Sequence, residues 1–134
     1  LDELNERLAS AWDSVKELRK LRQDLAKIKV FDPACGCGNF LVVSYRHLRQ
    51  LELELTVRLN NLEGKSEVMQ LDGSMGLSMS LNQLYGIEIE EWPARIAETA
   101  MFLADHQSNI DLAKAFGVSF DMMSNRLAFE NKYV

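Results

Sequence analysis

The sequence predicts an α/β fold: a doubly wound parallel sheet, helix-rich and incomplete, preceded by a long N-terminal helix. Two short apolar segments, residues 28–32 and 83–89, are typical of buried strands, and a helical pattern follows each of them. Strands that alternate with helices form parallel sheets through right-handed crossovers. The chain has 134 residues, of which 47% are hydrophobic and 26% charged, so it is one globular domain or a piece of one. Two strands are too few for a complete domain of this class.

Residues 1–27 are expected to form one amphipathic helix. Apolar side chains recur there, mostly at steps of three and four residues, with charged side chains between them. The apolar positions are Leu1, Leu4, Leu8, Ala11, Val15, Leu18 and Leu25. The spacing also fits about three and a half heptads, which leaves a coiled coil as the alternative to a helix packed on its own domain.

Two further helices are predicted downstream. Asn39 can cap a helix over 40–62, in which leucines seven residues apart form a core-facing stripe at Leu41, Leu48, Leu55 and Leu62. Residues 63–80 contain three glycines and no clear period, which indicates a loop or irregular insertion. Pro93 suits the first turn of a helix over 93–108, whose alanines allow close approach to a sheet, and a separate short helix is placed near 111–116.

The segment KVFDPACGCGNFL, residues 29–41, places a glycine loop at the carboxyl end of the first strand, where open α/β sheets bind ligands. Gly36 and Gly38 leave room for a ligand to approach the backbone. A dinucleotide site would need a third glycine, where Leu41 stands, and an acid about 20 residues later, whereas Glu88 comes far beyond that. Asp32 would also repel a phosphate. Acids at both strand ends favour a cationic or hydroxyl-rich ligand such as S-adenosylmethionine.

DPACGCGNFL, residues 32–41, closely resembles the first motif of the adenine-specific DNA methyltransferases. YGIEIEEWPARIAETAMFLADHQ, residues 85–107, is similar to their second motif and the helix after it. The pair is most similar to the large single-chain restriction–modification enzymes. The resemblance implies a Rossmann-like class I methyltransferase fold, S-adenosylmethionine as cofactor, and methyl transfer to the amino group of a flipped-out adenine at a specific DNA site.

The resemblance also implies a role for each matching residue. Asp32 and the backbone of Ala34, Gly36 and Gly38 would line the methionine end of the cofactor, and Asn39 and Phe40 would begin the supporting helix. Glu88 would accept hydrogen bonds from the two ribose hydroxyls, as a carboxylate can. Ile89 and Trp92 would flank the adenine ring, although Trp92 is equally well read as an exposed aromatic at a helix start.

No catalytic residue is predicted in this chain. The catalytic motif of the resembled family contains Pro-Pro, and the only prolines here are Pro33 and Pro93. Asp121 is a poor candidate for the acid that reads the cofactor's adenine, because no convincing strand precedes it. We therefore expect residues 1–27 to be an N-terminal helix, 28–110 the cofactor-binding half of a methyltransferase domain, and 111–134 a tail leading to the remainder. Such a fragment is expected to be inactive alone.

Charge and cysteine content limit the partners. The formal net charge is −5 and the sequence pI is about 5.0, which is the wrong sign for gripping DNA, so other parts of the parent protein would hold it. No apolar run approaches a membrane span, and no signal-peptide pattern is present. Cys35 and Cys37 do not form a disulfide framework, and with His47 they lack zinc-site spacing, so we expect a cytoplasmic protein without a metal. Leu1 at the initiator position indicates a piece cut from a longer chain.

Two other functions stay open: a helical module that dimerises, and a fragment of a nucleotide-binding oxidoreductase. The leucine seams of 1–27 and 40–62 would be exposed in an incomplete domain, and exposed seams associate. We therefore expect the isolated chain to be a dimer or higher oligomer, with Leu4, Leu8, Val15 or Leu48 and Leu55 in the contact. The alternative is that helix 1–27 folds back over the seam of helix 40–62 within one chain.

Overall fold

A computed structural model describes residues 1–10, 14–63 and 78–116. The elements are helices α1 (Asp2–Ser10) and α2 (Val15–Leu25), strand β1 (Val30–Asp32), helix α3 (Asn39–Glu63), a 3-10 turn (Leu81–Gln83), strand β2 (Leu84–Gly86) and helix α4 (Glu91–Ala115). Most of the predicted insertion and tail, with Asp121, lies outside the described residues. The predicted order of strands, loop and long helices is confirmed.

The prediction of one helix over 1–27 is wrong, because α2 starts anew at Ser14. The backbone of Ser14 is extended, with φ −108° and ψ 104°, and its hydroxyl accepts a hydrogen bond from the N–H of Glu17 at 3.3 Å. Arg7 of α1 forms an ion pair with Asp24 of α2, with 2.8 Å between Nη2 and Oδ2. In one continuous helix these residues would be about 25 Å apart along the axis. The chain therefore folds back between α1 and α2.

The leucine seams cover each other within one chain. Leu18, Leu21 and Leu25 of α2 are fully buried in a core that they share with four leucines of α3: Leu48, Leu51, Leu55 and Leu59. Leu8 belongs to the same core, and Leu4 and Val15 pack against it. Arg58 of α3 donates a hydrogen bond to the carbonyl oxygen of Leu8 at 2.7 Å. The alternative in which the N-terminal segment folds back is thus observed, and Leu8, Leu48 and Leu55 are not available as a dimer contact.

β1 and β2 form a parallel two-stranded sheet in which Val30 pairs with Leu84, Phe31 with Tyr85 and Asp32 with Gly86. Both strands are shorter than predicted: residues 28 and 29 precede β1, the 3-10 turn takes Gln83, and residues 87–89 follow β2. Val30 packs against the core, whereas Phe31 and Tyr85 point to the other face and remain about half exposed. Within the described residues, helices therefore cover one face of the sheet.

Helices α3 and α4 run parallel, side by side, and polar groups join them. The hydroxyl of Tyr45 donates to Oδ1 of Asp105 at 2.5 Å, and Arg49 donates to the same oxygen at 2.8 Å and to Oδ1 of Asn109 at 2.7 Å. Both the Tyr45–Asp105 and Arg49–Asn109 pairs are offset by 60 residues, as parallel helices in register require. α4 is continuous through Ala115, so the separate helix predicted near 111–116 is wrong.

A buried glutamate holds the chain where it returns toward the sheet. Glu52 of α3 is 1% exposed, and its Oε1 accepts hydrogen bonds from the N–H and the hydroxyl of Ser78 and from the N–H of Met79. Met79 is itself buried in the core. The last residues before the 3-10 turn are therefore fixed against the middle of α3. None of the helices in the described ranges is long and apolar enough to cross a membrane.

Candidate functional site

The carboxylate of Asp32 holds the turn that follows β1. Its Oδ1 accepts a hydrogen bond from the N–H of Ala34 at 3.0 Å, across Pro33. This is the local hydrogen bond by which an aspartate stabilises a turn two residues ahead. A carboxylate has about four acceptor positions, and this contact uses one of them. Asp32 is partly buried and is the last residue of β1, at the carboxyl edge of the sheet.

The glycine loop is joined to the residue that follows β2. The N–H of Ile87 donates to the carbonyl oxygen of Asp32, and the N–H of Cys35 donates to the carbonyl oxygen of Ile87, both at 3.0 Å. These two bonds continue the pairing of the strands beyond Gly86. The loop and the exit of β2 therefore form one hydrogen-bonded unit at the carboxyl edge of the sheet.

The two loop glycines have different surroundings. Both have positive φ, 54° at Gly36 and 84° at Gly38, a region that favours glycine. A Cβ at Gly36 would meet nothing within 4 Å, whereas one at Gly38 would lie 2.9 Å from the Cβ of Ala97. Gly38 is buried, and its N–H donates to the carbonyl oxygen of Cys35 at 2.8 Å. Gly36 is the open position, and Gly38 lets the loop pack on α4; contact between Gly38 and a ligand stays a prediction.

Gly86 is a site residue that sequence reasoning missed. A Cβ there would lie 2.8 Å from Sγ of Cys35 and 2.9 Å from Cδ1 of Leu41. The absence of a side chain at the end of β2 thus lets Cys35 lie against the strand. Ala97 was noted only as one of several small residues on a helix facing a sheet, but it contacts the loop instead. A glycine inside a strand pattern is the signal that could have pointed to Gly86.

Glu88 lies at the same edge as Asp32. It follows Ile87, whose N–H binds the carbonyl oxygen of Asp32, and its own Oε1 accepts a hydrogen bond from the N–H of Glu90 at 2.8 Å. That bond holds the carboxylate at the start of α4. The structure therefore brings both acids that the sequence indicated to the same edge of the sheet, Asp32 at the end of β1 and Glu88 two residues beyond the end of β2.

The charges of both acids affect the pKa of the Cys35 thiol. Burial raises the pKa of Cys35, and the negative charges of Asp32 and Glu88 raise it further. The thiol therefore stays protonated, and an anionic ligand beside it would meet two carboxylates. A cationic group or hydroxyl donors would be favoured instead. No three His, Cys, Asp or Glu side chains of residues 1–10, 14–63 and 78–116 are arranged to hold a metal ion.

Three apolar side chains at or just before the starts of α3 and α4 are exposed. Ile89 and Trp92 are 92% and 80% exposed, and Phe40 is 57% exposed. Ala34 and Asn39 are also exposed. Asn39 is the first residue of α3 rather than the residue before it, and the first-turn N–H of Val42 binds the carbonyl oxygen of Gly38 at 2.8 Å. The predicted cap is therefore displaced by one residue.

Comparison with known proteins gives one consistent family. The family model described as MmeI, DNA-methyltransferase domain, matches residues 8–130. DNA methyltransferase A of Bacillus subtilis strain 168 is 39% identical over 112 residues, which are 84% of this chain and 12% of that protein. A putative type II restriction enzyme and methyltransferase of Methanocaldococcus jannaschii is 30% identical over 104 residues, 78% of this chain and 8% of that protein.

A solved structure is also similar. The type IIL restriction–modification enzyme MmeI, in complex with DNA, matches with a TM-score of 0.77 and 40% identity. The match covers 87% of this chain and 15% of that one. The chain therefore spans less than a sixth of the length of each of these relatives.

Proposed function

The chain belongs to the MmeI DNA-methyltransferase domain family, and we propose that it forms the cofactor-binding part of a site-specific DNA methyltransferase in a restriction–modification system. The methyl donor is S-adenosylmethionine, and the acceptor is the amino group of adenine. The DNA is held by parts of the protein outside these residues. The acidic net charge of −5 is consistent with that division, because phosphate contacts need basic side chains.

The observation that carries the proposal is the arrangement at the carboxyl edge of the sheet. Asp32 and Glu88 stand at the ends of two paired parallel strands, and the loop between β1 and α3 offers an open backbone position at Gly36. Two carboxylates suit a ligand with an ammonium group and ribose hydroxyls, which S-adenosylmethionine has. The negative charges of these carboxylates would repel the pyrophosphate of a nicotinamide dinucleotide.

Each residue has a role in this proposal. Asp32, Ala34 and Gly36 contact the methionine end, together with Gly38 through its backbone. Glu88 accepts hydrogen bonds from the ribose hydroxyls through the capacity that the N–H of Glu90 leaves unused, and the exposed Ile89 and Trp92 cover the adenine ring. Asn39 and Phe40 begin the helix behind the loop. When bound, the cofactor supplies an electrophilic methyl group; the residues of this chain orient it.

The fold follows from the same proposal. β1 and β2, with α2, α3 and α4 on one side, are part of a Rossmann-like doubly wound sheet whose further strands and second helical layer come from the rest of the domain. Residues 28–110 form the cofactor-binding half, 1–27 precede it, and 111–134 lead to the remainder. The half-exposed Phe31 and Tyr85 mark the sheet face that the second layer covers.

Calorimetric titration tests the ligand. We expect the protein to release or absorb heat with S-adenosylhomocysteine and not with NAD. Binding of NAD alone would contradict the proposal and favour an oxidoreductase. The acceptor is tested separately, by incubating the protein that carries this chain with DNA and labelled S-adenosylmethionine and digesting the DNA to nucleosides. Label in methylated deoxyadenosine is expected; label in methylated deoxycytidine would refute the adenine assignment.

A further inference from the structure

Gln83 is a buried glutamine that no part of the proposed site uses. It is the last residue of the 3-10 turn, directly before β2, and is 8% exposed. Its Nε2 donates hydrogen bonds to the carbonyl oxygen of Leu25 at 2.9 Å and to that of Ile28 at 2.8 Å. Its Oε1 accepts a hydrogen bond from the N–H of Ser80 at 2.8 Å. One side chain therefore satisfies three backbone groups.

This set of partners requires an amide. The carbonyl oxygens of Leu25 and Ile28 both accept from the side-chain amide, and the N–H of Ser80 needs an acceptor on the same side chain. The oxygen of Leu25 also accepts a hydrogen bond from the N–H of Ile28 at 3.3 Å. A glutamate would offer no donor, and a leucine would offer neither. Backbone groups left unpaired in such a place destabilise the fold. The chemistry at this position is thus narrowly specified.

The hydrogen bonds of this side chain join separate segments. Leu25 ends α2 and Ile28 comes two residues before β1, whereas Ser80 and Gln83 both precede β2. Strand pairing starts immediately afterwards, where Val30 meets Leu84. Because each strand has only three residues, few backbone bonds are available to set the register of the sheet. The side chain of Gln83 adds two hydrogen bonds across the amino end of the sheet.

Register decides where Glu88 stands. A slip of one residue would move β2 by about 3.3 Å along its axis and turn its side chains to the opposite faces. Hydrogen bonds to hydroxyls do not tolerate such a displacement. We infer that Gln83 is a positioning residue: it fixes the register of β1 and β2 and thereby sets Glu88 beside the glycine loop. The consequence for the ligand rests on the proposed function of Glu88.

Amide hydrogen exchange tests the register without any ligand. Gln83→Leu removes all three bonds, and Gln83→Asn keeps the amide but shortens its reach by one methylene. We expect the N–H groups of Ile87 and Cys35 to exchange at least about tenfold faster in both variants, while the amides in the middle of α3 keep their protection. Gln23→Leu, on the exposed side of α2, is the matched control and should leave Ile87 and Cys35 unchanged. Unchanged exchange at Ile87 in folded Gln83→Asn would overturn the inference.

A double-mutant cycle tests the link to the ligand. We expect Gln83→Asn to weaken S-adenosylhomocysteine binding by about tenfold in the wild-type background and by less than about twofold in a Glu88→Gln background. A purely structural loss would instead weaken binding equally in both backgrounds, and that result would refute the positioning role. If the wild-type protein does not bind S-adenosylhomocysteine while exchange at Ile87 responds as expected, the proposed function fails and the role of Gln83 in the register stands.

Discussion

Arg49 and Glu52 form an ion pair on α3, with 3.5 Å between Nε and Oε2, and neither side chain is more than 3% exposed. Arg49 also binds Asp105 and Asn109 of α4, and Glu52 binds the backbone at Ser78 and Met79. Two charges taken out of water are tolerated because each has several partners. This pair therefore connects α3 to α4 on one side and to the segment at Ser78 and Met79 on the other.

Replacing Arg49 should be severely destabilising. Arg49→Met would leave Glu52 buried without its cation and Asp105 without one of its donors, at a cost of about 3–5 kcal/mol in the free energy of unfolding. Arg46→Met, at an exposed position of the same helix, should change it by less than about 0.5 kcal/mol. Urea denaturation measures both. Equal, small losses would show that the buried pair adds nothing to the fold.

The hydroxyl of Tyr45 should matter most below pH 10. Tyr45→Phe removes a donor to Asp105 and an acceptor for Arg49, and we expect a loss of about 1–2 kcal/mol at neutral pH. Burial raises the pKa of Tyr45 above its usual 10.0, so the folded state keeps the phenol neutral where the unfolded state ionises. The stabilisation that comes from keeping this phenol neutral is complete below pH 10 and is lost as the pH rises above that value.

The stability difference between wild type and Tyr45→Phe should therefore shrink between pH 7 and about pH 11. Urea midpoints at the two pH values measure it. Tyr85→Phe, at a half-exposed position on the sheet, serves as the control and should leave the pH dependence of the wild type in place. A difference that is constant with pH would contradict the assignment of Tyr45 as the responsible group.

The two loop glycines should respond differently to alanine. Gly36→Ala places a side chain in open space and costs only the strain of a positive φ, about 1–2 kcal/mol. Gly38→Ala carries the same strain and also brings a methyl group against Ala97, which adds about 1–3 kcal/mol. Thermal unfolding of the two variants isolates the packing term. If they were equally stable, the close approach of the loop to α4 would not be limiting.

Glu88 should affect ligand binding without affecting the fold. Glu88→Gln keeps the size of the side chain and removes its charge, so we expect S-adenosylhomocysteine binding to weaken by about 1.5–3 kcal/mol, the range for hydrogen bonds to a charged group. Glu91→Gln, an exposed acid in the first turn of α4, is the matched control and should bind normally. Calorimetry reports both affinities. Unchanged binding by Glu88→Gln would make Glu88 a solvated charge only.

The pairing of α1 with α2 should weaken in acid. The hydrogen bond from Arg7 holds the pKa of Asp24 below its usual 3.8, so the unfolded state takes up a proton first as the pH falls. The stabilisation is complete above pH 3.8 and is lost below it. Asp24→Asn should flatten the fall of the thermal midpoint in that range. Asp2→Asn, outside this ion pair, should leave the fall as steep as in the wild type.

Local patterns predicted the parts of this fold that depend on neighbours in sequence. The strand that ends at Asp32, the glycine loop after it and most of the leucine stripe of α3 follow from a short apolar run, the loop glycines and the helical period. The stripe is buried at Leu41, Leu48 and Leu55, whereas its predicted last member, Leu62, is 43% exposed, so that part of the prediction was wrong. The break at Ser14 escaped notice because the apolar spacing runs through it without interruption. Spacing alone cannot distinguish one long helix from two that fold back on each other.

The polar network was hidden for a different reason. Arg49 and Glu52 are charged residues beside a leucine stripe, which in sequence indicates a solvated flank. They are buried because their partners lie on α4 and near residue 78. The sequence of α3 itself does not identify those partners. Likewise, Gly38 read as room for a ligand, because Ala97 could not be placed against it from sequence. Contacts made across long sequence separations are set by tertiary packing.

Because the carboxylate of Glu52 binds Ser78 and Met79, the contact of this segment with α3 does not depend only on the covalent connection between α3 and β2. Hydrogen bonds that the carboxylate of Glu52 accepts and the side-chain amide of Gln83 donates, together with the burial of Met79, hold the chain on the far side of residues 64–77. Lengthening such a connection costs little, because closure entropy grows only with the logarithm of its length. We expect a protein cut once within 64–77 to reassemble from its two pieces, so the segment is a suitable place for a split-protein junction or an inserted reporter.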